Sequence, residues 1–89
     1  MTTHKLKTWP EYFRAVIARP HKRKTVEIRK DDRDYAVWDL LLLQEYEPTT
    51  EAYTGRAATV QVTHCLRGLP WVPDGYVAMS IRLIDKGKR

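Results

Sequence analysis

Polar and apolar residues alternate along five short stretches of the chain, and this pattern predicts β-strands with one covered face. The predicted strands cover residues 4–8, 25–29, 38–46, 59–66 and 76–84. In the last stretch the residues expected to point inward are Val77, Met79, Ile81 and Leu83. Turn-forming residues separate the stretches, so the pattern favours a small closed or half-closed barrel.

Two of these strands differ in how their faces are used. In 25–29, Val26 and Ile28 share one face while Thr25, Glu27 and Arg29 share the other, which is typical of a half-buried strand. In 38–46 both faces are apolar through Leu40–Leu43, so this strand is predicted to be central and covered on both sides.

A short amphipathic helix is predicted over residues 10–19. Thr8 can cap its first N–H groups, and Pro10 suits a first helical turn. An apolar stripe follows at Phe13, Val16 and Ile17. Pro20 ends the helix, because the residue before a proline avoids the helical region.

The remaining segments are predicted to be loops. Residues 47–55 form a polar loop in which Gly55 supplies a positive φ, and residues 67–75 contain two prolines and two glycines. His64 falls on the face of Val60 and Val62 and is expected to be a hydrogen-bonded core residue, with Cys65 on the opposite face. We predict one α+β, mainly β domain over 1–89, with flexible ends at 1–3 and 86–89.

Composition narrows the class of protein. The longest apolar run, Leu40–Leu43, is far below the roughly 20 residues that cross a bilayer. The single cysteine cannot form an internal disulfide, so a reducing, cytoplasmic location is expected. The net charge is +5, and residues 19–33 hold seven Lys or Arg against three Asp or Glu. A localised positive patch attracts polyanions, although a solvated face has the same composition.

Four motifs carry a resemblance to a known family. They are a helix start at Pro10–Phe13, a basic strand and turn at Lys24–Arg33, a Tyr-Thr-Gly-Arg turn at Tyr53–Arg56, and a Gly-Tyr-Val strand start at Gly75–Val77. Together the motifs resemble the ASCH branch of the PUA-like domains, in particular a small bacterial and phage group of unassigned function. The resemblance implies a PUA-like, five-stranded β-barrel with the helix packed against it and a cleft beside the Lys24–Arg33 strand.

The resemblance also implies two kinds of function. ASCH domains are thought to bind RNA, and some small members hydrolyse acylated cytidine nucleosides. The chain is similar to those hydrolases at Lys24 and Arg29, but it has Glu27 where they have a threonine nucleophile. The small group usually has Gly-Asp before the leucine-rich strand, whereas this chain has Trp38-Asp39. Since tryptophan avoids a positive φ, we expect the turn to differ or the glycine of that group to be unstrained.

The candidate site is a nucleic-acid cleft built on the basic strand. Glu27 and Arg29 share a face, and Lys24 can curl in from the strand's start. An ordered guanidinium offers a fork for phosphate, and a carboxylate can accept from a base amine. The same residues could form a salt bridge that only orders the barrel mouth. The full predicted set is Lys22, Arg23, Lys24, Glu27, Arg29, Lys30, Arg33, Tyr53 and Trp71.

Tyr53 and Trp71 are the members of this set expected to stack on bases, while Trp9 and Trp38 are interpreted as core or capping residues. We predict RNA as the partner, no cofactor, no metal and no catalytic residue. One alternative is a small amidohydrolase on a modified cytidine nucleoside, with Thr25 as the nearest hydroxyl. Another is a phage or bacterial accessory protein that binds a host protein.

Overall fold

The computed structural model describes residues 1–87 and shows a mainly β chain with one short helix. Residues 88 and 89, which belong to the predicted flexible and basic tail, lie outside the described residues. The elements are β1 (Thr3–Thr8), α1 (Pro10–Val16), a 3₁₀ turn (Pro20–Lys22), β2 (Val26–Lys30), β3 (Leu40–Glu47), β4 (Ala52–Leu66) and β5 (Tyr76–Asp85). With seven residues, α1 is too short to span a membrane, and no other helix in the described part of the chain is long and apolar enough.

The five strands form one curled, half-barrel sheet in the order β1-β3-β4-β5-β2. β1 pairs with β3 in parallel, and the other neighbours are antiparallel. β1 and β2 are therefore the two edges. Within residues 1–87 no ladder of backbone hydrogen bonds joins β1 to β2. The predicted barrel is therefore open along the seam between these two edge strands.

The core lies on the inner face of the curl. β5 contributes Val77, Met79 and Ile81, as predicted, and Leu83 packs against them. The remaining members are Leu6, Val16, Tyr35, Leu41, Leu43, Val60 and Val62. β3 is an inner strand, but only its Leu41 face is fully buried, since Leu40 and Leu42 are partly exposed.

The helix is shorter than predicted. It ends at Val16 with Ile17 as its C-cap, and the amide of Lys24 then donates to the Ala15 carbonyl at 2.8 Å, which ties the approach to β2 to the helix. The predicted cap at Thr8 is wrong. Trp9 occupies the N-cap position without a side-chain bond, because Thr8 is still in β1 and points inward.

Residues 48–51 of the predicted polar loop form the turn between β3 and β4, whereas residues 47 and 52–55 are strand. β4 begins at Ala52, and Tyr53 pairs with Tyr46 across the ladder with ring centroids 5.2 Å apart. The register shifts between Gln44 and Tyr46, and Gly55 adopts the expected positive φ of 94°. The sequence pattern missed this segment because the irregular register interrupts the alternation.

His64 is exposed, so its prediction as a core residue is wrong. The β4–β5 register shifts between Val62 and His64, which leaves one extra residue on β4. A bulge of this kind reverses the alternation of faces. Cys65 consequently packs against the core, instead of lying on the opposite face.

The turn before β3 also differs from expectation. Trp38 adopts a φ of +80° and is more than half exposed, so it is not a core residue. The next residue, Asp39, is buried and holds the turn by accepting bonds from the amides of Ala36 and Thr2, both at 3.1 Å. His4 Nε2 lies 2.9 Å from Asp39 Oδ2, the oxygen that also accepts from the Ala36 amide. These contacts offset the backbone strain at Trp38.

Candidate functional site

β2 buries its polar face and exposes its apolar face, which is the reverse of a typical half-buried strand. Glu27 points inward and is only 5% exposed, whereas Val26 and Ile28 are 47% and 60% exposed. Arg29 also points inward and is partly buried. β2 is an edge strand, so its inner face borders the open seam rather than the apolar core. That position explains how a carboxylate and a guanidinium can occupy it.

Glu27 is the centre of a three-residue ion network. Arg29 Nε donates to one of its carboxylate oxygens at 2.6 Å, and Lys24 Nζ donates to the other. Lys24 lies before β2 and curls in, as the sequence suggested. Because both oxygens are engaged and the carboxylate is buried, Glu27 fixes the positions of the two cations.

Arg29 also reaches across the seam to β1. Its Nη2 donates to the Lys7 carbonyl at 2.9 Å and lies 3.4 Å from the Thr8 hydroxyl. Arg33 makes the corresponding bond to the Lys5 carbonyl, also at 2.9 Å. Two guanidinium groups therefore bridge the strand edges where backbone pairing is missing.

A cleft of about 510 Å³ opens beside this network. Its walls come from the end of β1, the start of α1 and the length of β2. Trp9 and Tyr12 supply aromatic surface, and both are about half exposed. The complete lining is Lys7, Thr8, Trp9, Tyr12, Lys24, Val26, Glu27, Ile28 and Arg29. The volume lies within the range of small-molecule and cofactor sites, roughly 300–1,000 Å³.

A smaller hollow of about 180 Å³ lies on the other side of Arg29. It is lined by Leu6, Arg29, Lys30, Asp32, Arg33 and Tyr35. Burial raises the pKa of the Tyr35 phenol, so this group stays protonated at neutral pH. Nearby, the hydrogen bond from Arg67 lowers the pKa of the Asp31 carboxyl. The hollow therefore continues the row of basic side chains that borders the seam between β1 and β2.

The structure brings together only part of the predicted site. Lys24, Glu27 and Arg29 share the cleft, and Lys30 and Arg33 line the hollow. Lys22 and Arg23 lie in and just after the 3₁₀ turn and line neither space. Arg23 instead donates to the Ala18 carbonyl at 2.9 Å.

The two aromatic residues predicted to stack on bases, Tyr53 and Trp71, line neither space. Tyr53 packs on Tyr46, and Trp71 is exposed in the loop between β4 and β5.

Sequence reasoning missed the aromatic wall of the cleft. Trp9 was expected in a core or capping role, and it does occupy the N-cap position of α1, but its half-exposed ring also lines the cleft. Tyr12 was not singled out. The available signal was the helical stripe of Phe13 and Val16, since Tyr12 falls beside that stripe and must face elsewhere. Lys7 and Thr8 were missed because they join the cleft only through the parallel pairing of β1 with β3.

A family model described as Domain of unknown function (DUF3850) matches residues 3–81. The chain belongs to this family. The match spans every residue that lines the cleft, so the DUF3850 domain contains the whole candidate site. No curated protein matches the chain.

Proposed function

We propose that this DUF3850 domain binds RNA, with an unstacked nucleotide entering the cleft between β1, α1 and β2. The observation that carries the proposal is the placement of Lys24 and Arg29 on a shared buried carboxylate beside an aromatic wall. Cations, aromatic faces and a nucleotide-sized space are the elements by which proteins capture single-stranded RNA.

The cations are suited to a phosphate. The network uses Arg29 Nε, Arg29 Nη2 and one Lys24 proton, which leaves Arg29 Nη1 and the other ammonium protons for a ligand. Two cations share one carboxylate, so the cleft keeps a net positive charge. Glu27 is too buried to be the first contact of a base amine, and we assign it the positioning of Lys24 and Arg29.

The aromatic wall is suited to a base. Trp9 and Tyr12 line the cleft from the start of α1, and stacking of one base on an aromatic side chain contributes about 1–3 kcal/mol. Lys30 and Arg33, along the neighbouring hollow, can hold the next phosphate by charge.

The proposal includes a relation to the ASCH domains and their PUA-like fold. It is supported by the motifs at Pro10–Phe13 and Lys24–Arg33, which form the helix start and the strand beside the cleft. A half-barrel of five strands with one helix is compatible with that relation. We also propose that the protein is cytoplasmic, because an RNA partner implies that location.

The hydrolase alternative has less support. Thr25, the hydroxyl assigned to it, is exposed but does not line the cleft. The aliphatic hydroxyl in the lining is that of Thr8, which lies 3.4 Å from Arg29 Nη2. A nucleophile needs an adjacent base, and the described contacts of Thr8 include only a cation.

The test is a salt titration of binding to a short single-stranded RNA. Wild type should bind, and its affinity should fall steeply between roughly 50 and 200 mM salt. Arg29→Ala and Trp9→Ala should each weaken binding about tenfold or more, since one removes a phosphate contact and the other a stacking surface.

Arg14→Ala is the matched control, because it removes the same charge from an exposed helix position outside the cleft. It should change the affinity less than about threefold. If all four proteins bind equally, or if binding does not respond to salt, the cleft is not an RNA site.

A further inference from the structure

The outer face of β2, β5 and β4 carries an apolar patch that shares Val26 and Ile28 with the lining of the cleft and extends from them across β5 to Leu66 on β4. The strand register places Ile28 opposite Ala78, and Ala78 opposite Leu66. In the row on one side of Ile28, Val26 lies opposite Ser80. In the row on the other side, Lys30 lies opposite Tyr76. Ile28, Val26, Leu66 and Tyr76 are each between 44% and 60% exposed, so these side chains form a continuous surface rather than isolated exposed groups.

The dimensions of this outer patch follow from sheet geometry. Three strands at about 4.8 Å spacing make it about 10 Å wide, and three rows of residues make it about 13 Å long. Two turns of an α-helix are of similar size, since a helix is about 10–12 Å across and its i to i+7 residues span about 10 Å. The patch therefore matches one apolar helical stripe.

The basic residues around the outer patch indicate what kind of partner it fits. Lys30 lies in the row of Tyr76, and Arg82 lies beyond Ser80 on the same face of β5. Among the residues that the structure describes, the rows from Tyr76 to Ser80 contain no carboxylate on this face. A basic rim around an aliphatic centre is complementary to an apolar stripe flanked by acidic residues.

The same observations disfavour two other occupants. A second copy of the chain would bring two basic rims together, and each copy carries a net charge of +5. RNA bases stack on aromatic rings or guanidinium planes, whereas the centre of this patch is Ile28, Ala78 and Leu66.

We infer that the outer face of β4, β5 and β2 docks an acidic amphipathic helix of a partner protein. The site adjoins the proposed RNA cleft and shares Val26 and Ile28 with its lining, whereas Leu66, Ala78 and Tyr76 lie outside the cleft. The partner's apolar side chains, at i, i+3, i+4 and i+7, contact Ile28, Leu66 and Tyr76. Its acidic residues meet Arg82 and also Lys30, which lies in the row of Tyr76 and borders the hollow as well.

The experiment uses the full chain labelled with ¹⁵N and a synthetic helical peptide with leucines at i, i+3, i+4 and i+7 and glutamates elsewhere. The peptide should shift the amide resonances of Ile28, Leu66 and Ala78 in a saturable way. Leu66→Glu lies outside the cleft and should abolish these shifts while leaving the rest of the spectrum unchanged. Arg82→Ala should weaken binding about twofold to fivefold, as expected for one rim charge.

Matched controls make each result decisive. A scrambled peptide of the same composition should not shift these resonances, because it lacks an apolar stripe. The inference is overturned if the scrambled peptide binds equally, if the designed peptide shifts cleft residues but neither Leu66 nor Ala78, or if it shifts none. It is also overturned if single-stranded RNA shifts Leu66 and Ala78 as the peptide does, or if sedimentation shows a dimer that Leu66→Glu dissociates.

Discussion

β5 and β2 are adjacent strands of one sheet, yet they direct opposite kinds of side chain toward its inner face. β5 buries Val77, Met79 and Ile81, whereas β2 buries Glu27 and exposes Val26 and Ile28. Glu27 lies directly opposite Met79 in the ladder. The difference shows that the apolar core ends at β5, and that the inner face of β2 belongs to the cleft.

The buried side chains of β5 and β2 also differ in what they contribute to stability. An inward methionine stabilises the fold by burial, while an inward glutamate bound to two cations is weak evidence for stability, since desolvation offsets the attraction. If the charges of β2 serve a ligand, substitutions on the two strands should have different consequences.

The largest effect is expected at the facing pair Met79 and Glu27. Met79→Ala should lower the free energy of unfolding by about 2–5 kcal/mol, because it leaves a cavity in the core. Glu27→Gln should lower it by only about 1–2 kcal/mol, because Lys24 and Arg29 are partly exposed and regain water. Urea unfolding of both variants measures the difference. Equal losses would mean that β2 is part of the same core.

A second inward polar group, Asp39, lies in the turn before β3 and contacts Thr2 and His4 at β1. Burial alone would raise its pKa, but hydrogen bonds from His4, Thr2 and Ala36 outweigh burial and hold the pKa below its usual range. Asp39→Asn should therefore lower the free energy of unfolding by about 1–3 kcal/mol at neutral pH.

The same group predicts a pH dependence of stability. A depressed folded-state pKa means that the unfolded chain takes up the Asp39 proton at higher pH than the folded chain. The stability from this group is complete above the unfolded value of about 3.9, and it is lost as pH falls through the folded pKa. The slope of stability between about pH 4 and 2 should be shallower in Asp39→Asn. An unchanged slope would show that other groups, such as Asp31, account for acid unfolding.

Some features of the fold follow from the sequence pattern alone, and others depend on how the strands are ordered and paired. The inward face of β5 was predicted correctly because its alternation is regular and one face is wholly apolar. β2 has equally regular alternation, but alternation cannot tell whether the covered face meets a core or a cleft. That choice depends on strand order, which places β2 at an edge. The bulge near His64 and the wall formed by Trp9 and Tyr12 likewise depend on tertiary pairing.

A further prediction concerns the turn before β3, where Trp38 adopts a positive φ. Trp38→Gly should raise the free energy of unfolding by about 1 kcal/mol, because glycine adopts a positive φ without the cost that tryptophan has. Val37→Gly, one residue earlier, is the matched control and should destabilise slightly. Thermal unfolding of the two variants in parallel checks this. A loss of stability in Trp38→Gly would show that the exposed indole makes a stabilising contact.

The smallest effect is expected on the outward face of β2. Ile28→Thr should change the free energy of unfolding by less than about 0.5 kcal/mol, since the side chain is already mostly in water. Ile81→Thr on β5 makes the same change at a buried position and should cost several-fold more. Similar costs at the two positions would contradict the reversed faces of β2.

The central claim is that the inward charges of β2 serve a ligand rather than the fold. The most direct test is urea unfolding, with and without single-stranded RNA, of wild type and a triple variant with Lys24→Met, Glu27→Leu and Arg29→Met. We predict that the variant is at least as stable as wild type without RNA. RNA at 100 times its Kd should stabilise wild type by about 2.7 kcal/mol and should leave the variant unchanged. A variant that is clearly less stable without RNA, beside a wild type that RNA does not stabilise, would contradict the account.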